Sequence, residues 1–296
     1  MSCSRCHQGV KPDGLVYLSP SSVKDWNRCP HRFKLMRLDG HKIERQETIS
    51  TAVGTVFDAH VKCRLDRRLK LDFLLKDIKN DDAIRIGSVL CNVYDKCGAL
   101  KNLIEEGVGF VELDKETLIG GVPLYGKPDA IMSDGTPLDW KTTLRGSVVK
   151  GWSRLVTWGT IANAVVNDQK SLSVLPLEEI NHDWALQVVL YAFLGGHKPG
   201  KPLRGRIDYI VMQENSIHVA SYNSPIMPNF QLQQIESLQH IWKSVQQAQF
   251  PPPEYSTHRC LMYGKRCEVA DKCSAFQAGE FTSDSLSNLG TLFEKP

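Results

Sequence analysis

The sequence Gly126-Lys-Pro-Asp129, followed by Asp139-Trp-Lys141, is the stretch that decides the predicted fold. An apolar strand is predicted to end near Asp129, and the turn at Ser133-Asp-Gly135 reverses the chain into the next strand. Residues two apart on a strand share a face, so Asp139 and Lys141 should project together. The reversal can bring Asp129 close to Asp139.

Two carboxylates that meet in this way repel each other unless a cation lies between them. Mg²⁺ or Mn²⁺ suits such oxygen ligands, and the bound ion can polarise a phosphodiester and supply a water as nucleophile. Lys141 can orient or deprotonate that water and stabilise charge on the phosphate. Asp-x-Lys alone is weak evidence, because charges alternate on many half-exposed strands. A surface hairpin with solvated charges is therefore the alternative interpretation.

The context of this motif is Gly-x-x-Asp, a turn, an apolar residue, Asp-x-Lys and two threonines. In this it resembles the RecB-type branch of the PD-(D/E)XK nucleases, close to the exonucleases of CRISPR spacer acquisition and to helicase-associated nuclease domains. The resemblance implies an α/β fold, a restriction-endonuclease-like core with a mixed central sheet flanked by helices. It also implies that Asp129 and Asp139 bind the metal, that the main-chain carbonyl of Trp140 touches it, and that Lys141 is catalytic.

Two further motifs fit the same group. Gln187 and Tyr191 form Gln-x-x-x-Tyr, whose spacing places both side chains on one face of a helix. By resemblance, Gln187 steadies the active site and Tyr191 contacts the nucleic acid. The group also shows Gly-x-x-x-His with a ligating histidine, whereas here Gly54 is followed by Asp58 at that spacing and by His60 two residues later. Positions two apart on a helix are about 200° apart, so both cannot face the site, and we favour Asp58 as the third metal ligand.

The nine cysteines suggest a second centre. Cys260, Cys267 and Cys273 are spaced Cys-x6-Cys-x5-Cys in a polar, loop-like segment, where metal ligation is a better interpretation than core packing. Three thiolates require a fourth ligand, and Cys29 in Cys-Pro-x-x-Phe is the natural candidate. In the resembling nucleases such a set binds a 4Fe–4S cluster that joins the N- and C-terminal segments. Zn²⁺ in the same four cysteines is the alternative.

The remaining cysteines are interpreted differently. Cys3 and Cys6 could form a small zinc site, but no matching second pair is visible, and a mobile tail is preferred. Cys63, Cys91 and Cys97 lie in helical patterns and are expected to be buried as small hydrophobic residues.

Composition sets broad limits on function. The chain has 296 residues, of which 42% are apolar and 23% charged, and its formal net charge is +3. These values are typical of a globular protein and exclude a strongly basic, nucleic-acid-coating one. No apolar run approaches the roughly 20 residues needed to span a bilayer, so no membrane association and a cytoplasmic location are expected. By resemblance the protein would be bacterial or phage-encoded.

The predicted organisation has three parts. Residues 1–17 form a mobile tail, residues 18–250 form the nuclease core with an N-terminal helical part and an insertion at about 144–180, and residues 251–296 form a cysteine segment packing with the Cys29 region. Helices are predicted over Ser50–Leu69, Asp82–Glu105, His182–Leu194 and Phe230–Gln249, and strands over Val108–Leu113, Leu124–Ser133, Thr136–Trp140 and Arg206–Met212.

The sequence thus predicts a Mg²⁺- or Mn²⁺-dependent DNA nuclease, an exonuclease acting on single-stranded ends. Lys34, Arg37, Lys127 and residues 141–145 offer phosphate contacts. A helicase, recombinase or integrase partner is a further expectation. The alternative is a catalytically silent DNA-binding or scaffold subunit of a recombination or repair complex, against which the complete Asp-x-Lys argues.

Overall fold

The structure is a computed structural model that describes residues 16–41, 48–144, 165–167, 176–212, 216–253, 260–262, 265–274 and 276. None of the helices in these ranges is long and apolar enough to cross a membrane. The chain divides into two compact units, one made of residues 1–44 and 240–296 and the other of residues 45–239. The predicted core of 18–250 therefore differs from the observed division at both of its ends.

The first unit begins with a short helical segment. Helix α1 spans Pro20–Arg28, and Ser19 caps it through a reciprocal pair of hydrogen bonds with Ser22, as its Ser-Pro-Ser-Ser sequence suggests. Helix α2 (Pro30–Phe33) and a π-helix (Lys34–Leu38) follow directly. The C-terminal part of the unit contains the two-stranded sheet of β9 (Leu261–Met262) and β10 (Lys265–Arg266), and then a 3₁₀ turn at Ala270–Lys272.

Ion pairs join the two ends of the chain within this unit. Arg28 and Arg32, on either side of Cys29, both contact the carboxylate of Glu268, at 3.3 and 3.2 Å. Arg32 is almost fully buried and also pairs with Asp25. The segment that carries Cys29 is therefore in contact with the segment that carries Cys267.

The second unit contributes the larger helical layer. Its helices are α3 (Ile49–Leu65), α4 (Leu71–Leu75), α5 (Asp81–Lys96), α6 (Ala99–Glu106), α7 (Leu177–Ile180) and α8 (His182–Leu194), and α9 (Pro228–Gln246) crosses the boundary at residue 240. The single helix predicted over Asp82–Glu105 is wrong, because Gly98 adopts a left-handed conformation (φ 85°) that ends α5 and starts α6.

The sheet of the second unit has six strands in the order β1-β4-β5-β7-β8-β6. Its strands are β1 (Val108–Val111), β4 (Ala130–Met132), β5 (Pro137–Leu144), β6 (Val165–Asn167), β7 (Leu203–Met212) and β8 (Ser216–Ile226). The pairs β5–β7 and β8–β6 are parallel and the other pairs are antiparallel, so the sheet is mixed, as expected. Helices α3 and α8 both pack against β5.

One predicted strand is in fact two. The run Leu124–Ser133 is interrupted after β3 (Val122–Gly126), which pairs with β2 (Lys115–Ile119) in a small separate sheet. Pro128 has no backbone N–H and restricts its neighbour, which explains why the ladder breaks there. Asp129 consequently lies in the break, immediately before β4, where its side chain is not committed to a regular strand face.

Two glycines allow helix α3 to approach its neighbours. A Cβ on Gly54 would lie 2.8 Å from Oγ1 of Thr142 on β5, and one on Gly87 of α5 would lie 2.5 Å from the Val56 side chain. Any larger residue would therefore push α3 away from the sheet or from α5. Close packing against β5 thus explains the glycine at position 54 of the sequence motif. This packing also fixes the position of the next turn of α3.

Candidate active site

Strand β5 carries the centre of the site. Asp139 is fully buried, whereas Lys141 is 27% exposed, and their side chains form an ion pair on one face of the strand. Trp140 lies on the opposite face, where its indole N–H donates to the Tyr94 hydroxyl at 3.3 Å. The expected projection of Asp139 and Lys141 to a common side is therefore present.

A second group of carboxylates lies beside this pair. Oxygens of Asp58, Glu112 and Asp129 all lie within 4.8 Å of one another, and among the described residues this is the one such group that could hold a metal ion. The ammonium of Lys62 contacts all three carboxylates, at 2.8 Å in the case of Asp129. Lys127 also pairs with Glu112.

Helix α3 places Asp58, and not His60, in this group. His60 turns toward α5, where its Nε2 lies 2.8 Å from the Ser88 hydroxyl. The divergence follows from the helical angle between positions two apart. The four predicted acidic and basic positions Asp58, Asp129, Asp139 and Lys141 are thus brought together, although Asp139 is not a member of the 4.8 Å group.

Helix α8 contributes the side chains of Gln187 and Tyr191 to the site. The Gln187 side-chain amide donates to Asp139 at 3.0 Å and to the Tyr191 hydroxyl at 2.8 Å, while its carbonyl oxygen accepts from Lys141 at 3.3 Å. Gln187 therefore bridges the Asp139–Lys141 pair. Tyr191 is only 8% exposed, so its ring belongs to the wall of the site.

Burial and mutual repulsion set the protonation of the acids in the metal-free site. Burial raises the pKa of Asp139 well above its usual range, and although Lys141 opposes the rise, Asp129 adds to it. Burial would also raise the pKa of Asp129, but Lys62 and a hydrogen bond from Asp139 outweigh it and lower that pKa to about 2. The proton of this pair therefore rests on Asp139, in a place where a cation would relieve the same repulsion.

Asp58 is a candidate metal ligand, because one of its carboxylate oxygens accepts no hydrogen bond. Burial raises its pKa to about 7, against the attraction of Lys62 and with repulsion from Asp129 and Glu112. The side chain as a whole keeps 29% exposure, yet its Oδ1 is buried and accepts no hydrogen bond. A buried carboxylate oxygen without a donor is unfavourable unless something else binds it. This donor set of carboxylates fits a hard divalent cation such as Mg²⁺ or Mn²⁺.

A cavity of about 370 Å³ opens onto these groups. Asp58, Asp129 and Lys141 line it together with four hydroxyl side chains from the first turns of α3 and from β5: Ser50, Thr51, Thr55 and Thr142. The cavity therefore joins the acidic group to a wall of hydrogen-bond donors and acceptors.

Sequence reasoning missed Lys62 and Glu112. Lys62 lies four residues after Asp58, so its position on the same helix face could have been read from spacing. Its burial, with 2% of the side chain exposed, could not. Glu112 adopts a left-handed backbone conformation (φ 54°), which nothing in its sequence context signals.

The described basic residues that were predicted to offer phosphate contacts lie next to carboxylates of the chain itself. Lys34 pairs with Asp39 at 2.7 Å, and the Arg37 guanidinium donates to Asp25 at 2.9 and 2.6 Å. Lys127 pairs with Glu112, so all three of these side chains, which were predicted to offer phosphate contacts, have carboxylate partners within the chain. Arg145 and most of the predicted insertion at 144–180, with Trp152 and Trp158, lie outside the described residues.

The cysteines lie in both units. In the first unit, Cys260, Cys267 and Cys273 pack together with Ala270 and Phe276, and the Cys267 N–H donates to the Cys260 carbonyl at 2.8 Å. The Cys29 sulfur accepts from the Arg32 N–H at 3.4 Å. In the second unit, Cys91 is fully buried, and Cys63 and Cys97 are half-buried. Cys3 and Cys6 lie outside the described residues.

Comparison with known proteins supports the fold. No protein-family model matches the chain, and no curated protein matches it. The crystal structure of the "Putative exonuclease" of Eubacterium rectale is similar over 90% of this chain and 89% of its own, with a TM-score of 0.51 and 13% sequence identity. The crystal structure of SSO0001 matches over 84% of this chain and 96% of its own, with 16% identity but a TM-score of only 0.32. The first of these likenesses shows that the two chains share an α/β fold.

Proposed function

We propose that the protein is a divalent-metal-dependent nuclease that hydrolyses phosphodiester bonds of DNA, as an exonuclease on single-stranded ends. The observation that carries the proposal is the ion pair on β5 between the buried Asp139 and the partly exposed Lys141, which Gln187 holds beside the Asp58, Glu112 and Asp129 group. Buried acids with perturbed pKa values that line a cavity are typical of catalytic sites.

Asp58, Asp129 and Asp139 would bind Mg²⁺ or Mn²⁺, and the main-chain carbonyl of Trp140 is an additional candidate ligand. When bound, the ion would polarise the phosphodiester and lower the pKa of a water that serves as nucleophile. Lys141, which is partly exposed to the cavity, would orient this water and stabilise charge that develops on the phosphate.

Gln187 has a positioning role in this proposal. Its amide donates to Asp139 and its carbonyl accepts from Lys141, so it holds the carboxylate and the ammonium at a fixed distance from each other. Tyr191 is tied to the same amide at 2.8 Å. A site held by such neighbours needs little rearrangement when the reaction begins.

Aromatic side chains favour a single-stranded substrate. Tyr209 is the register partner of Lys141 on the adjacent strand β7, and its hydroxyl donates to Thr143 at 2.9 Å. The half-buried ring of Trp184 lies 5.3 Å from that of Tyr209 and 5.8 Å from that of Tyr222. Partly exposed rings beside a catalytic lysine can stack on unpaired bases, while the hydroxyls of the cavity contact phosphate.

For the first unit we propose that Cys29, Cys260, Cys267 and Cys273 bind a 4Fe–4S cluster. The ion pairs of Glu268 with Arg28 and Arg32 bring the Cys29 and Cys267 segments together. Zn²⁺ in the same four cysteines is the alternative, since zinc sites and 4Fe–4S clusters both commonly take four ligands. Iron and zinc analysis of anaerobically purified protein, with an absorption band near 400 nm for iron, distinguishes the two.

A second candidate function, a catalytically silent DNA-binding subunit, is favoured by one observation. The ammonium of Lys62 lies among three carboxylates, in a position that a metal ion could otherwise take. Such a protein would bind single-stranded DNA with or without metal and would not cleave it.

The test is digestion of 5′- and 3′-labelled single-stranded DNA and RNA by the full chain in Mn²⁺ and in EDTA. We expect DNA shortened from its ends in Mn²⁺ only, and loss of this activity in Lys141→Ala. Lys101→Ala, at a 73% exposed position on α6, is the matched control and should retain it. Equal rates for wild type and Lys141→Ala would refute the catalytic proposal, and tight DNA binding without cleavage would support the silent alternative.

A further inference from the structure

Lys62 is an unusual residue for its position. It lies inside helix α3 with 2% of its side chain exposed, among the largest fully buried side chains of the described residues. Lysine is almost never buried in this way unless it is paired, because its ammonium loses hydration. Here its partners are three carboxylates, from Asp58, Glu112 and Asp129.

The spacing of these carboxylates is that of ligands around one cation. Their nearest oxygens lie within 4.8 Å of one another, and oxygens bound to a single divalent ion lie within roughly 3–5 Å of one another. The ammonium of Lys62 contacts each of the three acids. One cation position of the site is therefore already taken by the chain itself.

The backbone conformation of Glu112 is independent evidence that the fold holds this arrangement of charges in place. Its backbone is in the left-handed region (φ 54°), a conformation that is unfavourable for a residue with a Cβ atom. In this conformation its two carboxylate oxygens contact different lysines, Oε1 with Lys62 and Oε2 with Lys127. A strained residue of this kind persists where the surrounding structure fixes it.

The charge balance of the site allows one more cation to bind beside Lys62. Four carboxyl groups face three ammonium groups, so one negative charge is in excess when all are ionised: Asp58, Glu112, Asp129 and Asp139 against Lys62, Lys127 and Lys141. The buried Oδ1 of Asp58 has no hydrogen-bond donor, and Asp58 and Asp129 both line the cavity. These groups are on the side of the site that substrate can reach.

We propose that Lys62 is a built-in cation that occupies one of two cation positions in the carboxylate site, so that the protein binds a single divalent ion beside it. Lys62 is then a positioning residue: it holds Asp58, Glu112 and Asp129 together before the metal arrives, and it excludes a second ion. The inference rests on the proposed metal-dependent function of the same site, whose ligands would be Asp58, Asp129 and Asp139.

The test counts bound Mn²⁺ on the metal-free full chain by equilibrium dialysis, with electron paramagnetic resonance of the free ion. Wild type should bind one ion per chain, and Lys62→Met and Lys62→Gln should bind two, since each leaves the three carboxylates without their ammonium. Lys101→Met, which removes an exposed lysine, should still bind one. Melting in EDTA is the second readout: both Lys62 variants should melt below wild type and recover in saturating Mn²⁺.

The outcomes separate this inference from the proposed function. Two ions on wild type, or one ion on both Lys62 variants, would overturn the role of Lys62 and leave a metal-dependent nuclease possible. No ion on wild type would overturn the proposed function and this inference with it. One ion on wild type and two on the variants, without any digestion of DNA, would support the inference and reject the nuclease. If Lys62→Met does not fold in EDTA, the number of bound Mn²⁺ ions per chain is measured on Lys62→Gln instead. Both variants can also be prepared and dialysed with Mn²⁺ present throughout.

Discussion

Two buried aspartates on adjacent strands of one sheet have opposite surroundings. Asp208 on β7 and Asp139 on β5 are both fully buried. Asp208 accepts hydrogen bonds from Arg206 at 3.0 Å, from Ser221 at 2.6 Å and from Tyr94. Asp139 accepts from Gln187 and forms an ion pair with Lys141, but it lies next to other carboxyl groups in a site that opens to a cavity.

The difference is the one expected between a charge that stabilises the fold and a charge that serves the proposed metal site. The network of Asp208 is closed, because both of its carboxylate oxygens have donors and the Arg206 charge is shared with Glu106 at 2.7 Å. The site of Asp139 has more carboxyl groups than ammonium groups and includes the unbonded oxygen of Asp58. A satisfied buried network serves the fold, whereas an incomplete one is explained by a cation or a reaction.

Asp139→Asn should produce the largest effect on activity. It keeps the shape of the side chain and removes the charge that would bind the metal, so nuclease activity should fall by about 10²–10⁴-fold, the range of one essential catalytic group. The melting temperature in EDTA should change little, because burial raises the pKa of Asp139 and so disfavours its charged form. Steady-state rates on end-labelled DNA and a thermal melt measure both quantities.

Asp208→Asn should have the reverse effect. The substitution leaves the buried Arg206 guanidinium with Glu106 as its remaining acid, so the free energy of unfolding should fall by about 3 kcal/mol. Urea unfolding measures this loss, and the rate per folded molecule should match wild type. A variant as stable as wild type but without activity would invert the assignment of the two aspartates.

Gly54→Ala should connect packing with metal binding. Its Cβ would meet Oγ1 of Thr142 at 2.8 Å, so α3 should shift away from β5 at a cost of about 1–3 kcal/mol and carry Asp58 with it. Mn²⁺ affinity should fall in calorimetric titrations. Adding Thr142→Ala removes the clashing hydroxyl and should restore most of the affinity; a double variant no better than the single one would mean that Gly54 acts in another way.

His60→Gln should have the smallest effect. His60 contacts Ser88 and not the carboxylates, so Mn²⁺ affinity and activity should remain those of wild type, whereas Asp58→Asn should lower both. Burial lowers the pKa of His60 below 6.5, and Arg64 adds to this. The unfolded chain therefore binds this proton more readily, and stability is lost as the pH falls below about 6.5. Urea unfolding at pH 7.5 and 5.5 should show a smaller loss for His60→Gln.

Local signals in the sequence predicted much of the scaffold. The helix over His182–Leu194 has the observed bounds because Asn181 caps its start and Gly195 follows its end. The shared face of Asp139 and Lys141 follows from the period of a strand alone. Where a single backbone restriction decided the outcome, as at Gly98 and Pro128, the predicted elements ran too long.

The positions of Lys62 and Glu112 in the site could not be predicted in the same way. Lys62 reaches acids from two other segments, one 50 and one 67 residues away in sequence, so its burial is a property of the assembled fold. Glu112 depends on a backbone conformation that side-chain patterns do not report. Binding of the predicted ligands to a metal, and of the cysteines to a cluster, stays a prediction.

The most direct test is the Mn²⁺ dependence of single-stranded DNA digestion by wild type, Asp139→Asn and Asp208→Asn, compared at equal concentrations of folded protein. We predict that wild type and Asp208→Asn digest DNA at similar rates in Mn²⁺ and not in EDTA, and that Asp139→Asn loses the Mn²⁺-dependent digestion by the factor given above. Digestion by Asp139→Asn at the wild-type rate, or digestion by wild type in EDTA, would contradict this prediction.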